Sequence, residues 1–253
     1  MCFEKHEKYR TAPHVLTDTC RKSTNKMINS IKNLKNLIVI CGHFGAGKTN
    51  LAVNLAKEYA AIGKKTTLVD LDIVNPYFRA ADNTSELTAL GVNCVNPDFA
   101  NTNVDIPSLP PSVMGAIEAQ VREPERVTIL DVGGDNGAVA LGMYNRFFKE
   151  GEYDLLYVVN KYRPLTEDIP DAEFILREIE WSGRIRATGI VNNSNLGTET
   201  TADDILDTDA WCRELAQKCS LPLVCTVADE SLRGKLDSLD DVFYIKNATK
   251  QIF

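Results

Sequence analysis

The stretch Gly42-His43-Phe44-Gly45-Ala46-Gly47-Lys48-Thr49 narrows what this chain can become more than any other. It fits G-x-x-x-x-G-K-[ST] in full and lies between two different patterns. Before it runs the apolar segment Leu37–Cys41, and after it Asn50-Leu51-Ala52 opens a helical spacing. Glycine in such a loop lets consecutive backbone N–H groups turn toward one anion, and the helix that follows adds the positive end of its dipole. The chemistry implied is phosphate binding, with residues Gly42 to Asn50 around the anion. Lys48 is placed to reach β- and γ-phosphates, and Thr49 to give its hydroxyl to Mg2+. A strand, loop and helix at the carboxyl edge of a parallel sheet present the loop in this way.

The rest of the chain repeats that unit. Short apolar runs alternate with longer helix-like stretches, as in a parallel sheet with crossover helices. Strands are expected at Asn36–Cys41, Thr66–Leu71, Val127–Val132, Asp154–Val159, Ala187–Asn192 and Leu221–Val227, with a further short one at Val92–Val95. Helices are expected over 48–62, 78–90, 112–122, 136–150, 167–182, 203–219 and 229–237, several closing at a glycine such as Gly63, Gly91 or Gly183. The fold class is therefore α/β, a doubly wound, mostly parallel sheet of the P-loop nucleoside triphosphate hydrolase kind. It forms a single domain over 36–253, preceded by a basic, poorly ordered arm over 1–35. No internal repeat or linker divides it. The polar, proline-bearing segment Asn96–Pro111 is too long for an ordinary βα connection, and reads as a lid, a partner-binding loop or a solvated insertion.

A phosphate loop needs an acid on the magnesium side and a group that senses the γ-phosphate. The run Val127-Thr128-Ile129-Leu130 ends in Asp131-Val132-Gly133-Gly134-Asp135. Asp131, at a strand's carboxyl end, is placed to reach Mg2+ directly or through water, and Gly134 to offer an unhindered N–H to the γ-phosphate. The second strand closes on another pair of acids, Leu68-Val69-Asp70-Leu71-Asp72.

With the phosphate loop, the D-x-D at Asp70 and Asp72 and the D-x-x-G at Asp131, the chain resembles the MinD/ParA-type branch of the SIMIBI class of P-loop ATPases. That group includes CobQ/CobB-like nucleotide-binding domains, and the likeness covers about residues 36–227. The resemblance implies that Asp72 orients or activates the water that attacks the γ-phosphate, with Asp70 supporting it near magnesium. It also implies that Asn192, in the loop Gly189–Asn195, reads adenine, with Asn193 as the adjacent competitor. Asn195 stands where GTP-binding proteins place the aspartate that accepts from guanine, so guanine selectivity is not expected. A partial motif, Asn160-Lys161-Tyr162-Arg163, lies one strand too early and reads as loop structure leading into Pro164, while Arg79 reads as a phosphate-side cation or a surface arginine.

The sequence departs from that branch at His43. Members that form nucleotide-sandwich dimers carry a lysine immediately after the first loop glycine. A histidine there is shorter and largely neutral near pH 7, so a homodimer by that route is not expected, while other routes stay open.

Composition removes several other classes. With 28 Lys+Arg against 35 Asp+Glu the chain carries −7, which does not suit a general nucleic-acid binder. The arm is the exception, with eight Lys/Arg against Glu4, Glu7 and Asp18, and reads as a solvated tail. The longest apolar runs, Leu37–Cys41 and Leu155–Val159, are far short of the roughly 18–20 residues that span a bilayer, and the arm lacks a secretory core. The seven cysteines include no C-x-x-C pair, so a disulfide framework or metal cluster is not expected and a cytoplasmic location is. Near the C-terminus, Val242–Ile245 is apolar without helical spacing, which favours docking onto the domain's own core over a membrane helix.

The function expected is that of a Mg2+-dependent ATP-binding protein and slow ATPase, a nucleotide-controlled switch acting on a partner protein. The alternative is an ATP-dependent small-molecule ligase or kinase resembling dethiobiotin synthetase or cobyrinate amidotransferase-type enzymes. Neither a substrate carboxylate clamp nor a glutaminase Cys/His pair is evident.

Overall fold

The computed structural model describes residues 28–71, 81–95, 111–134, 137–142 and 144–247. Among these residues eight strands form one sheet: β1 (Leu37–Cys41), β2 (Thr66–Asp70), β3 (Asn93–Val95), β4 (Val127–Asp131), β5 (Asp154–Val159), β6 (Gly189–Asn192), β7 (Leu223–Asp229) and β8 (Val242–Ile245). Their spatial order is β3-β2-β4-β1-β5-β6-β7-β8, and every pairing is parallel, where a mostly parallel sheet was expected. The sheet grows in both directions from β1, and the crevice at such a switch point, beyond the strands' carboxyl ends, is where α/β sheets bind ligands.

Among the described residues seven α-helices cover the sheet: α1 (Asn29–Lys32), α2 (Lys48–Ala61), α3 (Ala81–Ala89), α4 (Pro111–Arg122), α5 (Gly137–Gly142), α6 (Ile169–Gly183) and α7 (Ala202–Cys219). Strands buried on both faces read as continuous apolar runs, and alternation along each strand divides its side chains between two layers. Leu37, Val39, Leu130, Leu155 and Tyr157 pack against α4 to α7, whereas Ile38, Ile40, Ile129, Leu156 and Val158 pack against α1 to α3. Tyr157 is fully buried and donates its hydroxyl to the Ala172 carbonyl of α6 at 2.8 Å, which fixes that helix over β5.

The structure revises several expected boundaries. The helix over 136–150 divides into α5 and a 3-10 turn at Asn145–Phe147. A Cβ on Gly142 would stand 2.7 Å from the Ser182 carbonyl oxygen, so α5 ends where it abuts α6, and Tyr144 and Phe148 then turn into the core. The helix over 229–237 is one 3-10 turn, Glu230–Leu232, because β7 runs on to Asp229 and Gly234 takes a φ of 80°. Val242–Ile245 docks as the edge strand β8, with Phe243 and Ile245 in the core. The last part of the expected arm belongs to the domain: Ile31 of α1 is fully buried, and its carbonyl accepts from the Tyr59 hydroxyl at 2.8 Å. Asp72, Arg79, residues 1–27, 96–110 and 248–253 lie outside the described residues. Among those described, no helix is long and apolar enough to cross a membrane.

Candidate functional site

Strand β1 ends at Cys41, and the chain turns through Gly42 to Gly47 into α2. Gly45 and Gly47 have φ of 78° and 84°, in the left-handed region that favours glycine. A Cβ on Gly42 would overlap the Val158 carbonyl oxygen of β5, and one on Gly47 would overlap the Asn193 amide nitrogen. The loop is thus closed down on β5 and on the segment after β6. Ala46 is buried, and its carbonyl accepts from Asn193 Nδ2 at 2.7 Å, while the exposed loop residues are Phe44 and Gly45.

Lys48 opens α2 and is buried despite its charge, folding back so that Nζ donates to the His43 carbonyl at 3.0 Å. The ammonium is held over the loop, where an anion would meet it together with the helix N-terminus. Its field reaches Cys41 as well: burial pushes that thiol up to about 12, against the opposing pull of Lys48. Thr49 and Asn50 follow on the first turn of α2, both partly exposed.

Two carboxylates close the floor. Asp70 ends β2 and Asp131 ends β4, directly opposite one another in the ladder, and Asp131 also stands opposite Ile40 of β1. Both are almost completely buried at the sheet's carboxyl edge beside the phosphate loop. Just beyond Asp131, a Cβ on Gly134 would lie 3.5 Å from Phe44 Cβ, so the segment after β4 approaches the loop from Gly42 to Gly47. The donor set suits magnesium: two carboxylates and the Thr49 hydroxyl are hard oxygen ligands, and Mg2+ characteristically takes few protein ligands and completes its shell with water and phosphate. Among the described residues no group of three or more His, Cys, Asp or Glu gathers as a metal cage.

Beside α2 lies a small cavity lined by Asn50, Asn193, Asn195, Gly197, Thr200, Val227 and Asp229, with the end of β8 beyond. Asn192 is not in its lining. That side chain is fully buried behind the cavity, donating to Thr208 Oγ1 at 3.2 Å and accepting from the Ser194 N–H at 3.1 Å. The expected base-reading asparagine therefore serves to anchor α7, and the residues that reach the cavity are its neighbours. Asn195 donates to the Asn193 carbonyl at 2.7 Å and accepts from the Gly197 N–H at 3.1 Å, which sets the curvature of the loop.

The segment from Asn160 to Thr166 has a larger part than a plain connection. Asn160 is fully buried; it donates to the Asn195 carbonyl at 3.1 Å and accepts from the N–H groups of Tyr162 and Asn195 at 3.0 and 3.2 Å. Thr166 closes the turn by donating to the Asn160 carbonyl at 2.6 Å. This brings Arg163 against the phosphate loop, with a Cβ on Gly45 standing 3.6 Å from its Nε. The sequence signal was the N-K-x-R string itself, whose asparagine braces the loop after β6.

No protein-family model matches the chain, and no curated protein matches it. Among solved structures it is similar to the cell division protein FtsY from Thermotoga maritima, at 18% identity and a TM-score of 0.47, over 74% of this chain and 59% of that one. It is similar to FtsY from Mycoplasma mycoides at 19% identity and 0.49, over 81% of this chain and 63% of that one. The chain thus spans less than two thirds of either FtsY structure. A third is a nucleotide-binding protein in complex with ADP from Archaeoglobus fulgidus, at 15% identity and 0.47, over 80% of this chain and 86% of that one.

Proposed function

We propose that this protein is a Mg2+-dependent ATP-binding switch with slow ATPase activity that acts on a partner protein. The observation that supports it most is the convergence on one edge of the sheet of Lys48, buried and bonded to the His43 carbonyl, with the opposed carboxylates of Asp70 and Asp131. Buried charges must be paired or serve a charged ligand or metal, and groups of this kind gathered at the ligand-binding edge of a parallel sheet fit the second role. Magnesium, when bound, would supply charge neutralisation at the phosphates.

The chain's own groups do the remainder. The loop from Gly42 to Thr49 cradles the phosphates, Lys48 counters their charge, and Thr49, Asp131 and Asp70 hold the metal. Arg163, poised against Gly45, adds a second cation on the outer side of the loop. Gly134 offers its N–H to the γ-phosphate, and Asp72 orients the attacking water, the role the family resemblance implies for it. Phosphoryl transfer asks for positioning more than for a strong base, which suits a carboxylate in that role. Asn193 and Asn195, not Asn192, face the base. One observation favours GTP as a second reading: Asp229 also lines the cavity, and a carboxylate there can accept from guanine's two N–H donors.

The test is titration of Mg·ATP against Mg·GTP with phosphate release followed in the same samples, for the wild type and Lys48→Ala. The expected outcome is preferential ATP binding, slow release, and an affinity at least about tenfold weaker in the variant, as loss of a charge-assisted bond implies. Preference for GTP would transfer base recognition to Asp229, and failure to bind either nucleotide would sink the proposal.

A further inference from the structure

The turn from Asn160 to Thr166 is held in a strained shape. Leu165 has a φ of 63°, a left-handed conformation that bulky side chains rarely adopt, and its side chain is 58% exposed, so burial does not offset the strain. Strain of this kind persists where the surroundings over-determine it, and it gathers at sites with a task.

The bonds that hold the turn converge on Arg163. Its N–H donates to the Asn160 carbonyl at 3.0 Å, and its own carbonyl accepts from the Thr166 N–H and the Thr166 hydroxyl, each at 3.1 Å. Asn160 and Thr166 are both buried. Two residues before Asn160 stands Val158, whose carbonyl closes on Gly42, so the turn and the phosphate loop are set against the same strand. Arg163 is thus fastened by its backbone, while its exposed side chain passes over the loop with Cδ and Nε 3.7 and 3.6 Å from the place of a Cβ on Gly45.

Among the described residues no ion pair engages Arg163. The site beneath it is rich in negative charge: a magnesium nucleotide is itself an anion, and Asp70 and Asp131 add two buried carboxylates. Against these, Lys48 is the one lysine or arginine from Gly42 to Asn50. An arginine keeps its charge at any ordinary pH and can give two parallel N–H groups to phosphate oxygens.

We propose that Arg163 is a catalytic residue of the nucleotide site, its guanidinium reaching past Gly45 to the γ-phosphate and the oxygen that joins it to the β-phosphate. In the step it assists, the oxygen of water bonds to the γ-phosphorus while the bond from that phosphorus to the bridging oxygen breaks. The electron pair stays with the diphosphate, the water's proton passes to solvent, and inorganic phosphate is released. Arg163 stabilises the charge that gathers on these oxygens as the bond breaks. The inference rests on the reading that the loop binds a nucleoside triphosphate, and goes beyond it by assigning the rate of the step to a side chain of the same chain.

The test uses the full chain as wild type, Arg163→Ala and Arg163→Lys. Three quantities are measured with adenine and guanine nucleotides in parallel: affinity for the magnesium diphosphate, its retention with aluminium fluoride in place of the transferring phosphoryl group, and single-turnover phosphate release from the triphosphate. Arg163 is exposed, so both changes leave the fold intact, as thermal melts would verify. Arg163→Ala is expected to slow release about 100-fold or more and to weaken the aluminium fluoride complex about tenfold or more, with diphosphate affinity changed less than about twofold. Arg163→Lys, which keeps the charge but not the fork, should recover only part of the rate. Release within about threefold of wild type in Arg163→Ala overturns the inference alone, as does a diphosphate affinity that falls as far as the aluminium fluoride complex. A wild type that binds neither nucleotide overturns it together with the nucleotide reading.

Discussion

The Asn193 amide donates to the Ala46 carbonyl at 2.7 Å, so its replacement by alanine releases the phosphate loop from the segment after β6. One neutral hydrogen bond is worth about 1 kcal/mol, and Asn193→Ala should therefore weaken nucleotide binding roughly fivefold and lower the melting temperature by roughly 2–4 °C. Asn192→Ala should cost more stability and leave nucleotide binding nearly unchanged. It strips partners from the buried Thr208 hydroxyl and Ser194 N–H, a loss of about 1–3 kcal/mol that at this size lowers the melting temperature by roughly 2–4 °C per kcal/mol. Nucleotide titration and thermal melts on both variants separate the two roles. The sequence brought both residues to notice but not their division of labour, for a physical reason. Successive side chains at a strand end point to opposite sides, so an error of one residue in phase exchanges the one facing α7 with the one facing the loop. Gly42 to Thr49 were legible because the motif is local, and nothing in them depends on a distant partner's phase.

Glu180 shows how α6 is fastened to the strand that follows. Its carboxylate accepts from the Ala187 N–H at 3.0 Å and from Arg177 and Arg186, and it is buried while both arginines reach solvent. Exposed arginines lose little when released, so the cost of Glu180→Ala lies mainly in the buried Ala187 N–H, about 1–2 kcal/mol. Glu180→Gln, which keeps an acceptor, should recover a good part of this in urea denaturation. Long elements such as α2, α6 and α7 were legible from spacing alone, because apolar residues mark their buried faces over several turns. The division of 136–150 was not legible. Apolar residues continue through both halves, and what stops α5 is the Ser182 carbonyl pressed against Gly142, a neighbour 40 residues away in sequence. Strand β8 was hidden for a related reason: four consecutive apolar residues have no period by which to tell a strand from a helix turn.

At the scale of the whole molecule, the two-layered core determines how stability responds to alkali. Burial pushes the thiols of Cys41 and Cys225 from the ordinary 9.0 up to about 12, and raises those of Cys212 and the Tyr59 phenol as well. Between those values the unfolded chain releases protons that the folded chain retains. Stability is thus fully present below about pH 9 and falls as pH rises toward about 12, by about 1.4 kcal/mol per pH unit for each such thiol. Urea midpoints taken at intervals from about pH 8 to pH 11 should be level at first and then decline, and replacing Cys41 and Cys225 with alanine should flatten part of the slope. The parallel ladder has a further consequence, for the protein's synthesis. The loop glycines are closed by Val158 and by Asn193, and the bond from Asn193 spans 147 residues of chain. At roughly 5–20 residues per second, a ribosome needs about 7–30 s to deliver that second half after the first has emerged. A nascent chain therefore has the loop residues well before it has the loop's shape, which is complete only after most of the domain has been made.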